Sequence, residues 1–183
     1  YGVGWSLAGL TSIGINTREG LAKYDGEDTF VFNGADELIP TLDSITGRPQ
    51  GERRGDYWIQ YYRSKIERGY LRFERWVHLD TGRSHWCIRS SDNTVSVVGQ
   101  AADNTTRIAD PDNPERTFLW LLEAQYDRQG NAIIYDYVPE NAISVDRNQS
   151  FEYDRIFNTS GFAQRYLKRI RYGNTVSLQV DGP

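Results

Sequence analysis

The sequence predicts an all-β chain assembled mainly from antiparallel hairpins in meander order. Three observations predict it. Apolar residues alternate with polar ones instead of recurring about every 3.6 positions. Aromatic residues reach 13%, with 12 Tyr, 7 Phe and 5 Trp, and such side chains suit a pleated, half-buried surface. Short turns rich in Gly, Asp and Asn separate the alternating runs. The 183 residues read as one β-rich segment with no internal boundary, broken by loops near 44–55 and 101–115.

The chain opens YGVGWSLAGL. A dinucleotide fingerprint would need a third glycine where Leu7 stands, a strand before it and a helix after it. A phosphate-binding P-loop would need Gly-Lys-Ser/Thr. Neither pattern is present. Gly2 and Gly4 therefore read as a bulge or a close backbone approach in a sheet, with Trp5 packed into the space they leave.

Residues 29–33 (TFVFN) form a short strand between Gly26 and Gly34. Residues 44–55, rich in Gly, Pro and charge, read as a loop. The aromatic-rich run 56–79 follows. It ends in a half-buried strand with Leu71, Phe73, Val77 and Leu79 on one face and Arg72, Glu74, Trp76 and His78 on the other. Asp80-Thr81-Gly82-Arg83 is a turn, and 84–90 is the return strand with Trp86 and Ile88 on the apolar face. Asp92-Asn93 turns again into 94–98, completing a three-strand meander. Residues 101–115 are a long polar loop.

The run 118–126 fits two templates. Phe118, Leu121, Leu122 and Tyr126 make a helical stripe, whereas Phe118, Trp120, Leu122, Ala124 and Tyr126 alternate. The turn DRQGN at 127–131 and the strand AIIYDYV at 132–138 favour a hairpin. Residues 165–172 (RYLKRIRY) are the last strong strand, closed by Gly173-Asn174.

The net charge of −4 and the absence of a basic block give no support to a nucleic-acid partner. The longest apolar run is 118–122, far below the roughly 18 residues of a membrane helix, so direct membrane insertion is not expected. A single cysteine, Cys87, allows no internal disulfide. The chain has no methionine and starts at Tyr1 within ordered-looking sequence, so it reads as a piece of a longer polypeptide.

The stretch YGVGWSLAGL with SIGINTREG resembles the Gly-x-Gly-Trp-Ser-Leu region of the SpvB-like domain family. That domain occurs in the B components of bacterial insecticidal toxin complexes and in a plasmid-borne virulence protein. Further blocks resemble the family in the same order: FVFNGADELIP at 30–40, FERWV at 73–77, His85-Trp86, RIADP at 107–111, WLLE at 120–123 and AQRYLKRIRYGN at 163–174. The family sequence normally continues upstream of Gly2, which implies an incomplete domain. Tyr126-Asp127-x-x-Gly130-Asn131 with Tyr135 and Tyr137 resembles one Rhs/YD repeat unit: Tyr-Asp closes a strand, Gly-Asn turns, and aromatics pair across the hairpin.

The resemblance implies a structural role without catalysis or cofactor. Such segments form the wall of an Rhs-like β-shell that encloses a toxic passenger supplied by an Rhs-type C component. Its further partners are the remainder of the B-component chain and, through another domain, a membrane-penetrating A component. The assembled toxin is secreted after assembly in the bacterial cytoplasm. Gly2, Gly4, Trp5, Trp76, Trp86, Trp120, Gly130 and Asn131 are the motif residues expected to hold this wall together. A piece of wall cut from its parent has unpaired edges and is expected to self-associate. The alternative is a free-standing β-sandwich that binds glycan or protein through Trp58, Tyr61, Tyr62, Tyr70 and Trp76, against core packing of the same rings.

Two chemistries bear on the residues. A hairpin turn centred on Thr81-Gly82 would set Leu79 opposite Ser84 and His78 opposite His85, with Cys87 on the same face. Opposed Cβ atoms lie about 5 Å apart, which would let His78, His85 and Cys87, helped by Asp80, share a metal. The opposing reading is a polar face of a half-exposed hairpin, so no metal is expected. The virulence relatives carry an ADP-ribosyltransferase domain elsewhere in their chains. Its Glu-x-Glu pair and Ser-Thr-Ser strand are absent here, and Gln50-Gly51-Glu52 sits in the Gly/Pro loop. The sequence is accordingly read as not an enzyme.

Overall fold

The computed structural model describes residues 9–18, 20–67, 69–141, 143, 146, 149–152 and 162–178. Gly2, Gly4 and Trp5 lie outside these residues. The strands are β1 (Ser12–Ile15), β2 (Phe30–Phe32), β3 (Asp36–Pro40), β4 (Gly51–Arg54), β5 (Tyr57–Ser64), β6 (Arg72–His78), β7 (Ser84–Arg89), β8 (Val95–Val98), β9 (Arg107–Asp110), β10 (Asn113–Tyr126), β11 (Ala132–Pro139) and β12 (Arg165–Tyr172). The described residues hold helical conformation only in 3-10 turns, at Ser150–Glu152 and at Phe162. All strand pairings are antiparallel, so the all-β hairpin class holds.

The strands run β1-β2-β3-β5-β6-β7-β8-β10, and β10 pairs back onto β1 to close the ring. Ile13 sits opposite Trp120 at the seam. The 14-residue β10 serves four neighbours. Along one edge it carries β9 and then β8; along the other it carries β1 and then β11. Past the closed ring the sheet therefore continues through β11 to β12, which has no described strand on its outer edge. Similarly, β4 takes the edge of β5 where β3 leaves off.

The ring is filled by aromatic side chains. Phe30, Trp86 and Trp120 are each at most 4% exposed and meet edge to face at 5.0–6.2 Å, with Tyr62 against Phe30 and Trp86. Ile13, Leu38, Phe73, Val98 and Leu122 complete this interior. Burial of each such side chain stabilises by about 1.5–3 kcal/mol, and each aromatic pair adds about 0.5–1.5 kcal/mol. Trp120 Nε1 donates to the Ser84 carbonyl at 2.8 Å. The Arg75 guanidinium lies 4.8 Å from the Phe30 ring centre, an apolar and quadrupolar seat for a cation. A second cluster, on the other face of the sheet, contains Ile59, Trp76, Cys87, Val97 and Ala124.

Several sequence expectations need correction. The run 56–79 is two strands, β5 and β6. The stretches 44–55 and 101–115 contain β4 and β9, and β10 begins at Asn113. The alternation across 118–126 does not hold one face. A bulge between Leu122 and Ala124 lets two residues of β10 oppose one step of β8, so Trp120 and Leu122 fill the ring while Ala124 joins the outer cluster.

The β10–β11 turn explains its own sequence. Asp127 Oδ1 accepts from the Gln129 and Asn131 amides at 2.8 and 2.9 Å, and Oδ2 accepts from Asn131 Nδ2 at 2.6 Å. These bonds hold the Asp127 carboxyl below its usual pKa. Gly130 has φ +81°, and a Cβ there would collide with Ser177 Oγ and approach the Leu178 amide to 3.1 Å. Asn174 clamps the same turn, donating to the Gly130 carbonyl at 2.9 Å and accepting from the Ala132 amide at 2.8 Å.

Candidate functional site

The chemistry-bearing residues singled out in the sequence gather at the end of the barrel where the β6–β7 turn meets the segment after β8. The β6–β7 ladder ends at Val77 opposite Ser84, so Trp76, not His78, stands opposite His85. The expected register was two residues out, because the chain turns through four residues: the His78 amide bonds the Arg83 carbonyl, and the Gly82 amide bonds the His78 carbonyl. A two-residue shift keeps both histidines on one face but makes them diagonal rather than opposed.

The rings form a stack around Tyr57. It lies edge-on to His78 at 5.2 Å, to His85 at 5.5 Å and to Trp76 at 5.8 Å, while His85 stacks on Trp76 at 5.9 Å. His85 is 4% exposed. Burial first, and the Arg83 charge second, push its imidazole down to about 4, so it is neutral at neutral pH. His78 Nδ1 accepts from the Asp80 amide at 3.3 Å.

Cys87 lies on the same face, opposite Glu74. Its thiol is fully buried, and burial together with the Glu74 charge pushes it up to about 12. Glu74 is engaged by Arg89 Nε at 2.8 Å and Trp76 Nε1 at 3.2 Å. Among the described residues no three His, Cys, Asp or Glu side chains converge as a metal would require.

The segment after β8 is fixed from both sides. Arg83 donates to the carbonyls of Ala101 and Ala102 and to Asn104 Oδ1, and Arg107 donates to the Ala101 carbonyl at 3.0 Å. Glu123 accepts from the Ala101 amide at 2.6 Å and from Thr106 Oγ1 at 3.0 Å, and burial raises its pKa. Gly99, at φ +76°, packs flat on Trp120. Between these walls lies a cavity of about 280 Å³, with Ser84, His85, Gly99 and Arg107 beneath and His78 and Arg83 at its sides. Sequence reasoning found the histidines but missed Arg83 and Arg107. Their signal, two arginines flanking a Gly-Gln-Ala-Ala-Asp-Asn stretch, has meaning only once β9 folds beside β10.

The described motif residues divide among three places. Trp86 and Trp120 fill the ring, whereas Trp76 is fully buried in the outer cluster. Gly130 and Asn131 make the β10–β11 turn. The five aromatics of the alternative reading do not share a surface. Tyr62 packs in the ring, Trp76 is buried and Tyr61 leans on the outer cluster, leaving Trp58 and Tyr70 exposed on β5 and the β5–β6 connection. The closed ring also replaces the two facing sheets of a sandwich. No helix among the described residues is long and apolar enough to cross a membrane.

Comparison with known proteins gives one consistent family. The family model described as Salmonella virulence plasmid 65kDa B protein matches residues 1–181. Relatives named mono(ADP-ribosyl)transferase SpvB, from Salmonella enteritidis and Salmonella typhimurium, are 30% identical over 185 residues, covering 95% of this chain and 29% of theirs. The chain thus spans under a third of those relatives. The N-terminal domain of effector protein SpvB from Salmonella typhimurium strain LT2 superposes with a TM-score of 0.76 at 28% identity, over 91% of this chain and 52% of that one. The TcdB2-TccC3 crystal structure gives 0.74 at 29% identity, over 90% and 8%. The Photorhabdus luminescens Tc holotoxin pore gives 0.72 at 29% identity, over 90% and 7%. The fold is therefore that of a segment of toxin-associated proteins. These names overturn the expectation that the chain is not an enzyme: the relatives it aligns with are named mono(ADP-ribosyl)transferases, and it matches a portion of each.

Proposed function

The chain belongs to the SpvB family, and on that premise we propose that it is a structural segment of a bacterial toxin component, one stretch of a wall that encloses a toxic passenger. The observation that carries this reading is the shape of the sheet. A closed ring is rigid because every strand has two neighbours, and here the sheet runs on from the ring through β11 to the outer edge of β12. A free-standing ring has no need of such an extension; a wall does. The likeness to TcdB2-TccC3, over a small share of that chain, supports a place within a much larger assembly.

On this reading its partners are the rest of its own polypeptide, an Rhs-type C component that supplies the passenger, and a membrane-penetrating A component reached through another domain. The toxin assembles in the bacterial cytoplasm and is then secreted. Two features serve the wall. The aromatic filling of the ring resists deformation, and the Asp127–Asn131 turn, gripped by Asn174, fixes where the extension leaves the ring.

The test is to co-express the parent polypeptide with an Rhs-type partner, treat the particle with protease and image it by electron microscopy. A hollow particle whose passenger survives digestion is expected. A compact particle with a digested passenger would overturn the container reading.

A further inference from the structure

We propose that the cavity between the β6–β7 turn and the segment after β8 is a binding site for a small oxyanion, a phosphate or carboxylate group. The first observation is charge. The charge comes from two arginines, Arg83 and Arg107; His78 and the neutral imidazole of His85 line the cavity beside them, and among the described residues no carboxylate does. The neighbouring carboxylates are engaged elsewhere: Glu123 by the Ala101 amide and Thr106, and Asp103 by Thr105.

The second observation is an uncompensated cation. Arg107 is 1% exposed, its Nε has no hydrogen-bond partner among the described residues, and its Nη2 meets only the Ala101 carbonyl. Neither Arg107 nor Arg83 forms an ion pair with a described carboxylate. A guanidinium removed from water without a counter-charge is costly, and an anion beside it offsets that cost. His85, 4% exposed, likewise leaves Nε2 without a partner on the floor of the same cavity. Carbonyl oxygens are the hydrogen-bond partners of both guanidiniums; the Asp103 charge acts on Arg83, and Arg107 is left with carbonyl alone.

The third observation is access. Thr81, Gln100 and Ala102 form an exposed rim, while Ser84, His85, Gly99 and Arg107 form a buried floor. A group entering at the rim meets the part-exposed Arg83 and His78 first, with the field of Arg107 below it and low-dielectric rings of Tyr57 and Trp76 behind. The volume of about 280 Å³ admits a phosphate or a carboxylate with its water but is small for a nucleotide.

The chain's two histidines both line this cavity, which makes a direct readout possible. The chain labelled with ¹⁵N-histidine is titrated at fixed pH and ionic strength with inorganic phosphate in one series and acetate in another, with chloride as the control. A saturable shift of the imidazole signals at millimolar anion or below is expected, and chloride gives none. Gln100→Glu adds a negative charge on the exposed rim and is expected to weaken binding about tenfold or more without disturbing the fold; Arg107→Gln is expected to abolish it, with circular dichroism checking that the variant folds. A response to phosphate alone assigns a phosphoryl ligand, and a response to both assigns a carboxylate-bearing one. No saturable shift with either anion, or a shift unchanged in Gln100→Glu, overturns the proposal.

Discussion

Replacing Gly99 by alanine tests how tightly the ring is filled. Gly99 follows β8 directly at φ +76°, a backbone region that disfavours any side chain. A Cβ there would also strike Trp120 at Cδ1 and stand 3.0 Å from its Cβ and Cγ. Trp120 cannot swing clear: Phe30 and Trp86 hold its ring at 5.9 and 6.2 Å, and Nε1 is tied to the Ser84 carbonyl. Two costs therefore add. The left-handed conformation costs about 1–2 kcal/mol, and overpacking a filled core costs about 1–3 kcal/mol more. Gly82 separates them, because it has φ +71° and open space where a Cβ would lie. Urea unfolding of Gly82→Ala is expected to lose about 1 kcal/mol, and Gly99→Ala about 3 kcal/mol. Equal losses for the two variants would refute the claim that Trp120 is immobilised against the β8 backbone.

Three more outcomes are expected. His85 should make the fold acid-sensitive: its pKa falls from 6.5 in the unfolded chain to about 4 in the folded one, so its contribution is whole above 6.5 and is lost as pH drops through that interval. The loss is about 3 kcal/mol, read as a fall in urea midpoint that His85→Phe removes; an unchanged acid sensitivity in that variant would count against it. Cys87, fully buried with its thiol raised to about 12, should resist a disulfide-type thiol reagent in the native chain and react completely in denaturant; fast native labelling would contradict its burial. The edge of β12 that no described strand covers carries Arg165, Lys168, Arg169 and Arg171, with Arg169 and Arg171 paired to Asp136 of β11, so edge-to-edge self-association should grow with salt as the remaining positive charges are screened. Sedimentation of a clean monomer at high concentration and high salt would sink that expectation.

Much of the local structure was legible in the residues. The β6–β7–β8 meander and the β10–β11 hairpin follow from alternation and turn chemistry, and Trp86 and Trp120 announce a core by size alone. Other features were not. Strands β4 and β9 have almost no apolar alternation, since GERR and RIAD are strands because β5 and β10 offer them hydrogen bonds. Turn residues at 80–83 fit a two-residue or a four-residue loop equally well, which misplaced His78 relative to His85 while leaving both on the correct face. The bulge at Leu122–Ala124 has no glycine or proline to mark it; it arises where β10 passes from the ring to the extension. The cationic cavity was hidden for a related reason: Arg83 and Arg107 are distant in sequence and meet only through the segment they both hold.

The seam between Ser12–Gly14 and Leu119–Leu121 also dictates the order in which the molecule can be made. A chain emerging from the ribosome can zip β2 with β3 and β5 through β8 by short-range steps. Yet β1 waits for every residue from 16 to 118 before β10 arrives to shut the ring. Until then the growing sheet is an open ribbon with two sticky margins and an aromatic surface bared to water. Such distant pairing is slow to form, and the exposed interval is when aggregation competes. For this fold the exposed interval lasts until residue 121 is synthesised, and a chaperone that shields the ribbon until then guards the step at which aggregation competes.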